Sequence, residues 1–228
     1  MKKESFDILA DFFATANAIN ALSDATMSAK SVIDYLSRIT IIEMINEKVG
    51  KLNIWDFVDQ DKTRVANMVF HRDGYMLASN RRMLLKIKRE YSSELEGKGI
   101  RKNGTIENRT PLTSFDAAID TALARHTDGA KVLTFDFEKF AKISTECKAI
   151  RKMSRNTIRP IISLDGGSIK FYYDELLPAI QFMIDMDIKE ISIVPNTGVA
   201  ALIRDDENTC LIMPIYGDTR QMSNIFEM

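Results

Sequence analysis

Residues 73–91 read DGYMLASNRRMLLKIKREY, two apolar runs separated by a polar knot, Ser79-Asn80-Arg81-Arg82. The Asp73-Gly74 pair before the first run supplies the positive backbone dihedrals of a tight hairpin turn. The preceding VANMVFH, then YMLAS, then RMLLKIK therefore read as three successive strands, with Ser79-Asn80 making the second turn. The knot is either that turn alone or a shaped surface on which another molecule docks.

The chain that carries this meander has 228 residues and 45% hydrophobic content, enough to bury a core in one large domain or two ordinary ones. Its 31 Lys+Arg and 32 Asp+Glu leave a formal charge of −1, so no global field draws it onto nucleic acid or an anionic membrane. Any electrostatic partner must meet a local patch. The two cysteines, Cys147 and Cys210, lie far apart between apolar neighbours, which reads as buried free thiols in a reducing compartment. Glu4, Asp7 and Asp11 interrupt the apolar part of the N-terminus, against an export signal. The uncharged apolar stretch from Leu176 to Ile184 is far short of the ~20 residues that cross a bilayer. No membrane association is expected, and the protein is read as cytoplasmic.

Residues 5–22 show helical spacing, with Ser5 placed to cap the first turn. After Ser28 a helical pattern runs into the β-branched ITIIEMI, which suits a strand equally well. Residues 92–130 begin with a glycine- and charge-rich stretch, a crossing strand or a connector, and continue into a helix through Phe115, Ala118, Ile119 and Ala122. The second half is more regular. KVLTFDF reads as a strand, FEKFAKISTECKAIRK as a helix, RPIISLDGG as a strand with a turn, and YDELLPAIQFMIDM as a helix that tolerates Pro178 only near its first turn. EISIVPN, GVAALIRDD and TCLIMPIY follow as strands, with Pro195-Asn196 and Asp205–Asn208 as turns. The pattern predicts a mixed α+β fold with mostly antiparallel sheets.

Groups suited to catalysis do not converge. His71 and His126 fall on a strand and in a loop, with no serine or cysteine nucleophile beside them, and read as structural or solvated. GKG at 97–99 lacks the strand-then-helix context and the Lys-Ser/Thr ending of a phosphate loop. Asp185, Asp187 and Glu190, or Asp205, Asp206 and Glu207, carry the oxygen ligands a hard cation takes. As charged loops they are read as solvated, and no metal or cofactor is expected. The run from Lys139 to Arg159 is different: Lys139, Lys142, Lys148, Arg151, Lys152, Arg155 and Arg159 stand against the single acid Glu146. On a helix, Phe140, Ile143, Cys147 and Ile150 share one face, and Lys142, Lys148 and Lys152 are expected opposite it. Such a face neutralises phosphates without reading bases, or is a solvated surface.

Three segments together resemble the DNA sliding clamps, the ring-forming processivity factors of replicative polymerases, and in particular the bacterial clamps. Ala78, Ser79, Asn80, Arg81, Arg82, Met83 and Leu84 stand where that family has Ala-Thr-Asp-Gly-His-Arg-Leu. Leu211, Met213, Pro214, Ile215 and Tyr216 occupy the Val-Met-Pro-Met-Arg-Leu ending. FEKFAKI and YDELLPAIQFM repeat the two helices of a clamp domain. The likeness covers most of residues 65–216. Arg81 replaces the family's glycine, Tyr216 replaces a basic residue, and the second helix has no Lys or Arg at all.

The resemblance implies a scaffold without catalytic residues, with clamp-like domains at 1–125, carrying an extra N-terminal helix, and at 126–228, and with helices packed on one face of the sheets. It implies that Lys139, Lys142, Lys148, Lys152 and Arg155 face the backbone of double-stranded DNA. Ser79, Arg82, Leu84, Leu211, Met213, Pro214, Ile215 and Tyr216 would form a pocket for a short linear peptide of a DNA polymerase or another replication protein. Leu211, Met213 and Ile215 also alternate as core-filling residues of a strand do. Six domains per ring make a two-domain chain a homo-oligomer, a trimer if the ring closes, unless an N-terminal extension caps the edge. The alternative is a self-assembling structural α/β protein of a virus particle or mobile element, with the QMSNIFEM tail as an intersubunit anchor.

Overall fold

The computed structural model describes residues 50–61, 64, 66–108, 114–127, 129–215 and 224–228. The helix expected at 5–22 and the segment at 28–47 lie outside these residues. All described residues belong to one compact unit, Met44–Met228.

The opening meander forms as its sequence predicts. β1 (Val69–Arg72), β2 (Tyr75–Ser79) and β3 (Met83–Lys88) pair antiparallel, with Phe70 opposite Leu77 and Ala78 opposite Leu85. Asp73 and Gly74 both take positive φ, 53° and 81°, as the two-residue hairpin requires. The connector after β3 contributes two short strands, β4 (Gly99–Ile100) and β5 (Ile106–Glu107), which extend the sheet beyond β1. Helix α1 (Ser114–Arg125) follows, then β6 (Lys131–Thr134) and α2 (Phe137–Met153), whose N-terminus is capped by the Asp136 carboxylate accepting the Lys139 N–H at 2.8 Å.

The next hairpin, β7 (Ile161–Leu164) and β8 (Ile169–Tyr172), leads directly into α3 (Tyr173–Asp185). Strands β9 (Glu190–Ile193), β10 (Ala201–Arg204) and β11 (Thr209–Ile212) return as an antiparallel meander. The Asp205 carboxylate closes the last turn by accepting the N–H groups of Glu207 and Asn208, at 2.8 and 2.6 Å. Pro178 is the sixth residue of α3, in its second turn and just past the first turn to which the sequence reading limits it, which leaves the Asp174 carbonyl without its usual helical donor.

Nine strands form one antiparallel sheet in the order β5-β4-β1-β2-β3-β11-β10-β9-β6. Strands from both sides of residue 125 share it. They meet where β3 lies against β11, with Met83, Leu84, Leu85 and Lys86 opposite Ile212, Leu211, Cys210 and Thr209. A second sheet, β12-β7-β8, contains the one parallel pair among the described strands: β12 (Ile225–Glu227) lies beside β7. The IFEM end of the tail, read as a possible anchor between subunits, is therefore docked on its own chain. Phe226 and Met228 pack on the main core, and the Met228 N–H donates to the Ser163 carbonyl at 2.9 Å.

Helices occupy both faces of the large sheet, which corrects the expectation of one helical face. Alternate strand residues divide into two clusters. Ala78, Leu85, Cys210, Ile212 and Ile203 pack with Phe140 and Cys147 of α2 and with Leu176, Ile180 and Met183 of α3. Phe70, Leu77, Leu84, Leu202 and Leu211 pack instead with Phe115, Ile119 and Ala122 of α1. The cause is in β3 itself: Met83, Leu84 and Leu85 are consecutive and all buried, so apolar side chains leave both faces of the strand and each needs a cover. Among the described residues no helix is long and apolar enough to cross a membrane. Phe182 of α3 is fully buried in the larger cluster. Phe182→Ala is expected to lower unfolding free energy by about 3–5 kcal/mol, read as a lower urea midpoint with an unchanged slope.

Candidate functional site

The polar knot at 79–82 is folded by its own side chains. The Ser79 hydroxyl donates to the Met83 carbonyl at 2.9 Å, and the Asn80 side-chain oxygen accepts the N–H groups of Arg82 and Met83 at 3.0 and 2.8 Å. Between them Arg81 is forced to φ 74°, a conformation in which glycine is strain-free and arginine is not. The next residue is fixed from outside the loop. The Arg82 guanidinium donates to the Glu175 carboxylate of α3 at 3.0 and 3.2 Å and, at 3.3 and 3.4 Å, to the carbonyls of Met213 and Pro214 beyond the end of β11. Glu175 is shared: its other oxygen accepts from Arg159 at 2.9 Å, and Arg159 stacks on the Tyr172 ring at 3.7 Å. Partial burial opposes the Arg159 charge, yet the bonds it donates to Asp174 and Glu175 outweigh that and raise its pKa.

Beside the knot lies a cavity of about 500 Å³ on the α1 side of the sheet. Ser79, Arg82, Leu84, Leu211 and Met213, expected together from sequence, all line it. Leu84 and Leu211 form its floor as a directly opposed cross-strand pair, 7% and 6% exposed. They are both core residues and cavity wall. Pro214 is buried beside the cavity and contributes its carbonyl to Arg82 rather than a lining surface. Ile215 turns away, its N–H donating to the Lys170 carbonyl of β8 at 2.7 Å. Tyr216 lies outside the described residues.

The opposite wall was not foreseen. It comes from α1, through Ala117, Ala118, Thr121, Ala122 and Arg125, and from residues 198–200 before β10. Small side chains at positions one helical turn apart were the available signal, because they make a flat helix face against which a ligand can lie. His126 fastens that wall: its ring bonds the Ser192 hydroxyl at 2.7 Å and the Ala200 carbonyl at 2.8 Å. The carbonyl only accepts, so Nε2 carries a proton towards Ala200, and the Ser192 hydroxyl, which can donate or accept, meets Nδ1.

Lys139, Lys142, Lys148, Lys152 and Arg155 are all exposed, while Phe140, Ile143 and Cys147 are buried beneath them. They do not form one narrow stripe. At ~100° per residue Lys142 and Lys148 lie ~120° apart around α2, and Glu138 and Glu146 share the exposed arc. Helix α3 offers no cation and buries most of its length, including Leu176, Ala179, Ile180 and Met183.

Both cysteines are free and buried, and burial pushes the Cys147 thiol up to about 12. Among the described residues no group of three or more potential metal ligands comes together. No protein-family model, curated protein or solved structure matches the chain.

His71 is 2% exposed on β1, edge-on to Tyr91 at 4.8 Å, with Nδ1 unpartnered. Burial lowers its pKa below the usual 6.5, against smaller opposing effects of Lys98 and Glu96. Below pH 6.5 the unfolded chain takes up a proton that the folded chain refuses, so this group weakens folding as pH falls. Urea midpoints measured from pH 7.5 to about 5 are expected to fall less steeply for His71→Phe than for the natural chain.

Proposed function

We propose that the chain is a sliding-clamp-like accessory of DNA replication that works by binding: it holds short partner peptides in the α1-side cavity and contacts duplex phosphates through α2. One observation carries this reading. Two segments that resemble the clamp family's peptide-binding motifs, 79–84 and 211–214, lie about 130 positions apart in sequence yet meet as the β3–β11 pair and the Arg82 latch. A cavity of about 500 Å³ with an apolar floor, a methionine and a few polar groups suits a short peptide. The φ of Arg81 adds support, since that residue stands where the family segment has a glycine.

The DNA contact rests on α2 alone, because α3 is apolar and covered. It is accordingly weak, independent of sequence and sensitive to salt. Ring closure would join sheet edges, and β6, with Val132 59% exposed, is one such edge.

Leu84→Ala and Met213→Ala each remove part of the cavity surface, and binding of a partner-derived peptide is expected to weaken about tenfold in each, measured by fluorescence anisotropy. Unchanged affinity in both would exclude the pocket. Light scattering is expected to give a trimer, and the protein is expected to stay on nicked circular DNA and to leave linearised DNA. A strict monomer that leaves both equally would exclude the ring and leave the pocket untouched.

A further inference from the structure

We infer that the cavity selects apolar peptide segments that carry an acidic side chain, and that Arg125 at the end of α1 is the residue that reads the acid; this rests on the peptide-docking reading above. The charge lining the cavity has one sign: Arg81, Arg82 and Arg125 contribute to it, and no Asp or Glu does. The three arginines are not equivalent. Arg82 is committed to Glu175 and to two carbonyls, so its charge is neutralised within the protein. Arg81 approaches Asp59 at 3.7 Å, a carboxylate that also pairs with Arg64 at 3.1 Å.

Arg125 is exposed and has no ion-pair partner among the described residues. Ala118, Ala122 and Arg125 follow one another at helical spacing, so the guanidinium stands at the end of a shallow wall of methyl groups. An apolar side chain lying on that wall above Leu84 and Leu211 brings the neighbouring residue of its peptide to Arg125.

The end of α1 is otherwise a poor place for an anion, because its carbonyls carry partial negative charge. Three of them are occupied here. The His126 N–H is shared between the Ala122 and Leu123 carbonyls, each at 3.1 Å, and the Thr127 hydroxyl donates to the Ala124 carbonyl at 2.8 Å. The ring of His126, tied to β9 and to residue 200, holds the backbone next to Arg125 in place. Arg125 therefore presents its charge from a fixed support, which lowers the ordering loss on binding.

The test titrates the full chain with acetyl-Leu-Glu-Phe-amide and acetyl-Leu-Gln-Phe-amide, following the backbone amide signals of Leu84, Leu211 and Ala122. Both peptides are expected to shift these signals, with the Glu peptide binding about fivefold more tightly at low salt, as befits an exposed ion pair. Arg125→Gln is expected to bring the two affinities together, and Arg82→Gln to weaken both while keeping their ratio. Equal binding of the two peptides by the natural chain overturns the acid selection and leaves the docking reading standing. Absence of any shift at the cavity overturns the docking reading itself. A ratio that survives Arg125→Gln also overturns the assignment. So does a self-association lost in Arg125→Gln and displaced by the peptides, which would make the occupant a second copy of the chain.

Discussion

The pairing of β3 with β11 is the contact on which the rest of the structure depends. It joins the strands before α1 to those after it, turning two antiparallel meanders into one sheet. Leu85 and Cys210 close the core under α2 and α3, while Leu84 and Leu211, one step along the same strands, serve the α1 side. Because side chains alternate with a period of two, a slip of one residue would exchange the two sets on the slipped strand and turn its cavity-floor leucine towards the other face. The latch from Arg82 to Glu175, Met213 and Pro214 sits at the end of this ladder and opposes such a slip.

Much of this was legible because local chemistry and global fold agree. Asp73-Gly74 allows only a tight turn, the MLLKIK run is strand-like, and Phe140, Ile143 and Cys147 recur at helical spacing. The parts that were not legible depend on partners distant in sequence. IKFY at 169–172 is too short to stand out between a turn and a helix, and its local pattern predicts no element there. Strand β12 acquires its conformation only from β7, through a parallel pairing that no local pattern encodes. That helices cover both sheet faces was present in principle in the unbroken apolar run Met83-Leu84-Leu85, which an amphipathic strand would not carry.

The candidate site divides along the same line. Its strand-borne residues were recognisable as motifs; its helical wall was not, because alanines at one-turn spacing occur on many helices and point nowhere without a neighbour. Arg82 shows the converse error. As one of two adjacent cations in a polar knot it reads as a ligand contact, but Glu175, 93 positions away, takes up its charge. The role of a charged side chain is decided by what it is already bonded to.

The seam also imposes an order on assembly. Strand β3 leaves the ribosome well before β11, with roughly 120 residues between them, and until then its outer hydrogen-bonding edge has no neighbour. An unclaimed MLLKIK edge invites other nascent chains. Lys86 and Lys88 interrupt that run with charge, as gatekeeper residues do, and in the finished fold they are reused, Lys86 on Asp116 of α1 and Lys88 on Glu207. The same two lysines that keep the strand soluble while it waits become ties that hold the completed sheet.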